Sequence, residues 1–204
     1  MESAFTYLII IVNSIISYRA YIAFRDNINT EKYLFTPNKL SRGLNIEGSI
    51  LSNFSHADFT HFLFNMITLY YFGRVVEILN GSIAFLIVYI VSGIASHALV
   101  YYLKKDDIGY RSLGASGAIS GILFASIVLL PQMKISFLFI PIPIPSPVYA
   151  VLYVAMSFYF MGSGNISHEA HLGGALAGFL MGGYLAKGYG NLILEFQRIL
   201  SLAS

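Results

Sequence analysis

Apolar residues run through this chain in six windows, at about 5–24, 59–79, 82–103, 113–130, 147–162 and 170–186. A helix needs about 20 mostly apolar residues to cross the hydrocarbon core, so each window predicts one membrane helix. The apolar run from Ile135 to Phe160 is longer than one span needs. Within it, "PIPIPSP" at 141–147 removes four backbone donors and breaks any helix. Residues 135–140 are therefore expected in a surface loop, with the fifth helix starting after Pro147. The stretch 25–58 mixes Leu40, Leu44, Ile46, Ile50 and Leu51 with charges, which predicts a structured loop at the membrane surface. Leu192, Phe196, Ile199 and Leu200 follow helical spacing and predict an amphipathic interfacial tail over about 188–204.

Composition strengthens that picture. Of 204 residues, 56% are hydrophobic and 11% charged, with a mean hydropathy of +0.69, against about 25% charged in ordinary soluble chains. The fold class expected is an all-α polytopic membrane protein, a six-helix bundle forming one domain over residues 1–204. The first window lacks a basic leader region and a small-residue cleavage site, so it reads as a membrane helix rather than a signal peptide. Ten acidic and twelve basic residues nearly cancel and form no basic run, so no nucleic-acid partner is expected. The absence of cysteine excludes a thiol nucleophile, thiolate-bound zinc and disulfides.

Parity places the starts of helices two, four and six on one side of the membrane, and the polar residues gather there: His61 and Asn65, Ser116 and Ser120, and His171. Polar and ionisable groups inside a membrane domain are costly and mark function. A serine hydroxyl needs a neighbouring base, most often histidine, which makes Ser116 and His171 a candidate nucleophile and base. Gly117 and Gly121 on helix four, and Gly174 and Gly178 on helix six, have the four-residue spacing that lets helices approach closely. His171, Gly174 and Gly178 share one face. Acyl transfer also needs donors for an oxyanion; His61 and Asn65, one turn apart, and the Ser116 amide could supply them. Asp58 and Glu169 are the nearby acids, and neither has a spacing that places it on His171, so a dyad is expected.

Each member also has a structural reading. A single membrane serine commonly bonds to its own helix, and glycine spacing by itself signals packing. "HEAH" at 168–171 lacks the two-residue gap of a zinc-binding HExxH, so no metal and no cofactor are expected. His97 reads as a satisfied structural residue, and Arg74 with Glu77 as an ion pair one turn apart.

At these residues the chain resembles the rhomboid family of intramembrane serine proteases. The resemblance rests on "HADFTHFLFN" with His56, His61 and Asn65, on "GASG" with Ser116, on "AHLGGALAG" with His171, and on "FGRVVE" after helix two. It implies Ser116 as nucleophile, His171 as general base, and His61, Asn65 and the Ser116 amide as the oxyanion hole. It further implies His56 as a support for the first loop and Gly114 as a point of close backbone approach. The partners implied are transmembrane protein substrates and the lipid bilayer, with a small residue before the cut. The setting expected is a multi-pass integral protein of a prokaryotic-type cell membrane.

Two departures stand out. Glu47 and Gly48 replace a tryptophan-arginine pair in the first loop, and Ser120 stands where many relatives carry an aromatic that stacks on the histidine. Tyr110 and Phe124 are the candidates to replace that ring. Access for substrate is open between a lid at 161–169 and a gate formed by helix five. The alternative activity is that of a non-proteolytic rhomboid-like protein that binds transmembrane segments. A transporter is disfavoured because no three-helix repeat is visible. Orientation has two readings. The serine side carries Arg25, Lys32, Lys39, Arg42, Lys104, Lys105 and Arg111, which the positive-inside rule would place in the cytoplasm, whereas the resemblance turns that side outward.

Overall fold

The computed structural model describes residues 3–137, 140–162 and 166–203. Its principal helices are α1 (Ala4–Asp26), α2 (Phe59–Asn80, with a π-helical turn over Leu69–Gly73), α3 (Ser82–Lys104), α4 (Ser116–Leu129), α5 (Ser146–Tyr159), α6 (His168–Leu185) and α7 (Gly190–Ala203). Among the described residues, α1, α2 and α3 are long and apolar enough to cross a membrane.

The outer helices have their polarity turned inside out relative to a soluble protein. In α1 the buried positions are Thr6, Asn13, Ser17, Ala20 and Ala23, while Tyr7, Leu8, Ile11, Ile15, Tyr18 and Tyr21 face outward. Small and polar residues that can hydrogen-bond turn inward, and lipid solvates the rest. Asn13 donates to Tyr89 Oη (3.1 Å) and joins α1 to α3.

Helix α4 lies at the centre. Every residue from Gly117 to Val128 is buried. Its 14 residues rise roughly 21 Å at 1.5 Å each, less than the hydrocarbon thickness of about 30 Å. Glycine allows its tight surroundings. A methyl group on Gly174 would collide with the Gly117 carbonyl, and one on Gly178 with the Gly121 carbonyl, so α4 and α6 meet backbone to backbone. On α3, Ser96 packs against Gly117 and Ser92 against Gly121.

The 25–58 loop is structured. It contains short helices at Pro37–Leu40 and Ile46–Leu51 and is fastened to the chain just before α4. Phe35 and Ser112 exchange backbone bonds of 2.8 and 3.1 Å, and Gly114 N donates to Ser52 O at 2.9 Å. Asn45 Nδ2 gathers the Leu34 carbonyl (3.0 Å) and Thr36 Oγ1 (2.9 Å). Gly48 is pressed against the Leu34 carbonyl and the Asn45 side chain, leaving no room for a larger residue. The loop is thus anchored by Asn45 and the Phe35–Ser112 bridge. His97 is satisfied, as expected: it stacks on Phe35 at 3.9 Å and bonds Asn53 at 3.0 Å.

Two expectations are corrected. The segment placed in a loop at 135–140 contributes to a two-stranded antiparallel ribbon, β1 (Lys134–Phe137) with β2 (Ile140–Pro145), in which Ile135 faces Ile144; residues 138–139 lie outside the described residues. Prolines at alternate positions put every missing N–H on the same edge of β2, so the isoleucines between them remain able to pair. Helix α5 then begins at Ser146 with Pro147 in its first turn, where a missing donor costs nothing. The Arg74–Glu77 pair does not form either. Glu77 accepts from the Phe5 and Thr6 amides (3.0 and 2.8 Å), from Thr6 Oγ1 (2.6 Å) and from Ser82 Oγ (2.7 Å). A carboxylate at a helix N-terminus meets several unpaired donors at once, which outcompetes one flexible guanidinium. Arg74 lies instead over the Tyr70 ring and donates to its hydroxyl at 3.0 Å.

Candidate active site

Ser116 is the first residue of α4. Gly114, with φ of +141°, holds a conformation that suits glycine and keeps the helix from starting earlier. The first intrahelical-type bond runs from Ile119 N to Ala115 O (2.9 Å). The amides of Ser116 and the two residues after it are the free donors of a helix N-terminus. Glycine packing of α6 against α4 brings His171, on the first turn of α6, to the serine: Nε2 lies 2.8 Å from Ser116 Oγ.

His61 comes from the other side. The point where a Gly114 side chain would begin is 3.1 Å from His61 Nε2 and 3.5 Å from Ser116 Oγ. The same point is only 2.8 Å from His61 Cε1, too close for a methyl group, so glycine at 114 is what lets the backbone pass this near to the imidazole and the hydroxyl. Asp58 sets the start of α2 by accepting from the His61 amide at 2.8 Å, the bond expected of an N-cap. Asn65, one turn further on, is 8% exposed, and its Nδ2 is buried with no acceptor.

His56 stands behind His61, the two rings edge to face at 5.1 Å. Ser17 of α1 contacts both the Phe54 carbonyl (3.0 Å) and His56 Nδ1 (2.7 Å). A hydroxyl has one proton; with it directed at Phe54, His56 Nδ1–H donates to the serine oxygen. Burial pushes the His56 imidazole down from 6.5 to about 3, with nearby His61 adding to the effect.

The acids stay away from His171, as the spacing indicated. Glu169 pairs with Lys104 Nζ at 3.4 Å, and Asp58 is occupied as the cap. Lys104 also lies over the Tyr110 ring, whose hydroxyl bonds Ser167 Oγ at 2.6 Å. Neither sequence candidate for the ring beside His171 is there: Tyr110 is on Ser167, and Phe124 packs edge-on to Tyr153 at 5.4 Å. Two other rings lie beside His171: the His168 imidazole, edge-on at 5.8 Å, and Tyr153 of α5 at 6.1 Å, with its hydroxyl on Ser120. The Tyr149–Tyr153 spacing was visible in the sequence, but nothing in it names the helix that α5 faces. Ser17 went unseen for the same reason. Of the 161–169 segment, residues 163–165 lie outside the described residues. Among the described residues no cluster of three or more histidines and acids could hold a metal.

Residues 46–188 match the Rhomboid domain. The chain belongs to the rhomboid family. It is therefore a polytopic helical membrane protein, and the match takes in every candidate site residue from His56 to Gly178. Ser17 of α1, which holds His56, falls outside it. Over 143 residues the chain is 34% identical to Rhomboid protein 1, mitochondrial, of Saccharomyces cerevisiae, covering 67% of this chain and 41% of that protein. It is 32% identical over 148 residues to Presenilin-associated rhomboid-like protein, mitochondrial, of Rattus norvegicus, covering 71% and 39%. RHOMBOID-like protein 12, mitochondrial, of Arabidopsis thaliana is 30% identical over 156 residues, covering 68% and 46%. The aligned region thus spans less than half the length of these rhomboid relatives. Their names are mitochondrial, at odds with the prokaryotic-type cell membrane expected from the sequence.

Proposed function

We propose that this rhomboid is an intramembrane serine endopeptidase that cleaves transmembrane segments of other proteins, with Ser116 as nucleophile and His171 as general base. The observation that carries the reading is the 2.8 Å approach of His171 Nε2 to Ser116 Oγ across the α4–α6 seam. For this chemistry a neutral His171 accepts the serine proton through Nε2 along that contact. Ser116 Oγ attacks a peptide carbonyl carbon as His171 takes the proton. The carbonyl oxygen becomes an oxyanion and is received by the Ser116 amide, Asn65 Nδ2 and the His61 ring, beside the Gly114 backbone. Collapse breaks the C–N bond, His171 gives its proton to the departing amine, and a serine ester remains. Water then attacks the ester, losing its proton to His171; the ester C–O bond breaks as His171 returns that proton to Ser116 Oγ, and the new carboxyl end leaves.

Substrates must expose a carbonyl to be cut. Helical carbonyls are engaged in i to i−4 bonds, so segments weakened by Gly, Pro or β-branched residues are preferred, with a small residue before the cut. The test is cleavage of a reporter transmembrane segment by the purified chain in lipid vesicles, with fluorophosphonate labelling alongside. Ser116→Ala and His171→Ala are expected to lose at least about a thousandfold in rate while unfolding at the wild-type temperature, and Ser116→Ala to lose the label. A wild-type chain that neither cuts a varied panel nor takes the label would overturn the reading in favour of transmembrane-segment binding.

A further inference from the structure

We propose that Tyr153 of α5 is a positioning residue that ties both members of the dyad to α5, so that His171 is held in register only while α5 is seated against α4 and α6. The inference rests on the proteolytic reading above.

One side chain makes both contacts. The Tyr153 ring lies against the His171 ring, centroids 6.1 Å apart and planes tilted by 36°. Its hydroxyl is 2.5 Å from Ser120 Oγ, which in turn bonds the Ser116 carbonyl at 2.7 Å. The direction of this chain follows from proton count. Ser120 has a single proton, and the Ser116 carbonyl can only accept. Ser120 therefore donates to Ser116 O, and Tyr153 must donate to Ser120. The tyrosine is thus moored through one hydroxyl to the peptide unit of the nucleophile, while its ring bounds the base.

The rest of the tyrosine's surroundings keep it there. Phe124 of α4 packs edge-on against the ring at 5.4 Å, and Tyr149 lies one turn earlier on α5 at 6.1 Å. Helix α5 reaches α4 through these aromatic side chains, with no backbone contact like that of α6. Its other side is exposed at Val151, Leu152, Met156, Phe158 and Tyr159. The N-terminus of α5 is fastened by Ser146, whose N and Oγ donate to Met133 O (3.0 Å) and Pro131 O (2.9 Å); displacing the helix beyond that anchor costs side-chain contacts and withdraws the ring from His171 and the hydroxyl from Ser120.

The experiment compares kcat and KM for reporter cleavage in vesicles across five forms: wild type, Tyr153→Phe, Tyr153→Leu, the double change Tyr153→Ala with Ser120→Phe, and Val154→Ala. Val154, next to Tyr153 on α5, packs against the same apolar cluster, so it reports generic loosening of α5. Tyr153→Leu is expected to lower kcat by about ten- to a hundredfold, the range a small misplacement of a reacting group produces, with KM within about twofold of wild type. Tyr153→Phe keeps the ring and should recover most of the rate. The double variant, which offers a ring from α4 in place of α5, should recover part of it. Val154→Ala should stay near wild type. Wild-type kcat in Tyr153→Leu overturns the inference while leaving the protease reading intact. So does a rise in KM at constant kcat, which would make Tyr153 a substrate contact, or an equal loss in Val154→Ala. A wild-type chain that neither cleaves nor labels overturns the proposed function and this inference with it.

Discussion

Helix α4 has two unlike neighbours. Against α6 it packs backbone on backbone, with Gly174 and Gly178 seated on the Gly117 and Gly121 carbonyls and no space for a methyl group. Against α5 it packs through side chains, Phe124 edge-on to Tyr153, with Tyr149, Ala150 and Val154 packed on the same cluster of Leu123, Phe124 and Ile127. The first kind of contact has one geometry, because close-packed backbone cannot adjust by rotamer change. The second tolerates displacement, because side chains can. The difference is between a seam that fixes a hydroxyl and an imidazole at bonding distance and a face whose side chains have room to shift.

Gly174→Ala tests the rigid side and should have the largest effect. The added methyl forces α6 away from the Gly117 carbonyl, costing about 1–3 kcal/mol by overpacking and moving His171 off Ser116. Cleavage should fall about a hundredfold or more, with a lower unfolding temperature in the same vesicles. If Gly174→Ala is as active as wild type, the seam does not set the dyad distance, and the contrast with α5 collapses.

Asn65→Ala sharpens the comparison from the α2 side, where a donor is held ready instead of packed. Removing one oxyanion donor costs about a hundredfold in kcat. Stability should be unchanged or slightly higher, because a buried donor without an acceptor is itself destabilising. A stability loss with full activity would make Asn65 a structural residue.

The smallest effect concerns His56, which supports the site from outside the seam. Its imidazole is lowered from 6.5 to about 3 by burial, so between those values the unfolded chain binds the proton and the folded chain does not. Stability from this group is fully present above pH 6.5 and is lost progressively as pH falls toward 3. In unfolding scans, wild type should lose stability over that window more steeply than His56→Gln, with the two profiles parallel above pH 7. Parallel profiles throughout would mean His56 is solvated and titrates normally.

Local pattern carried much of the site. Serine beside glycine, histidine sharing a face with two glycines, and His61 one turn before Asn65 are statements about helical periodicity, and periodicity is a property of the chain alone. The same holds for the absence of an acid spaced to reach His171. Failures occurred where the outcome depended on which element lies opposite. Arg74 and Glu77 are well spaced for a pair, yet the free amides of α1 captured the carboxylate. Four prolines do break a helix, but their alternation leaves a pairing edge that becomes visible only beside β1.

By itself, then, the sequence determined a membrane-embedded helical chain, a candidate nucleophile and base, and the glycines that let their helices meet, because hydropathy, spacing and residue size act along the chain. Tertiary structure alone decided that α5 supplies a ring beside His171, that Ser17 of α1 holds His56, and that Asn65 keeps a buried donor unpaired. These depend on how helices distant in sequence are rotated toward one another, and that rotation is set by the sum of many small packing contacts that no single segment contains.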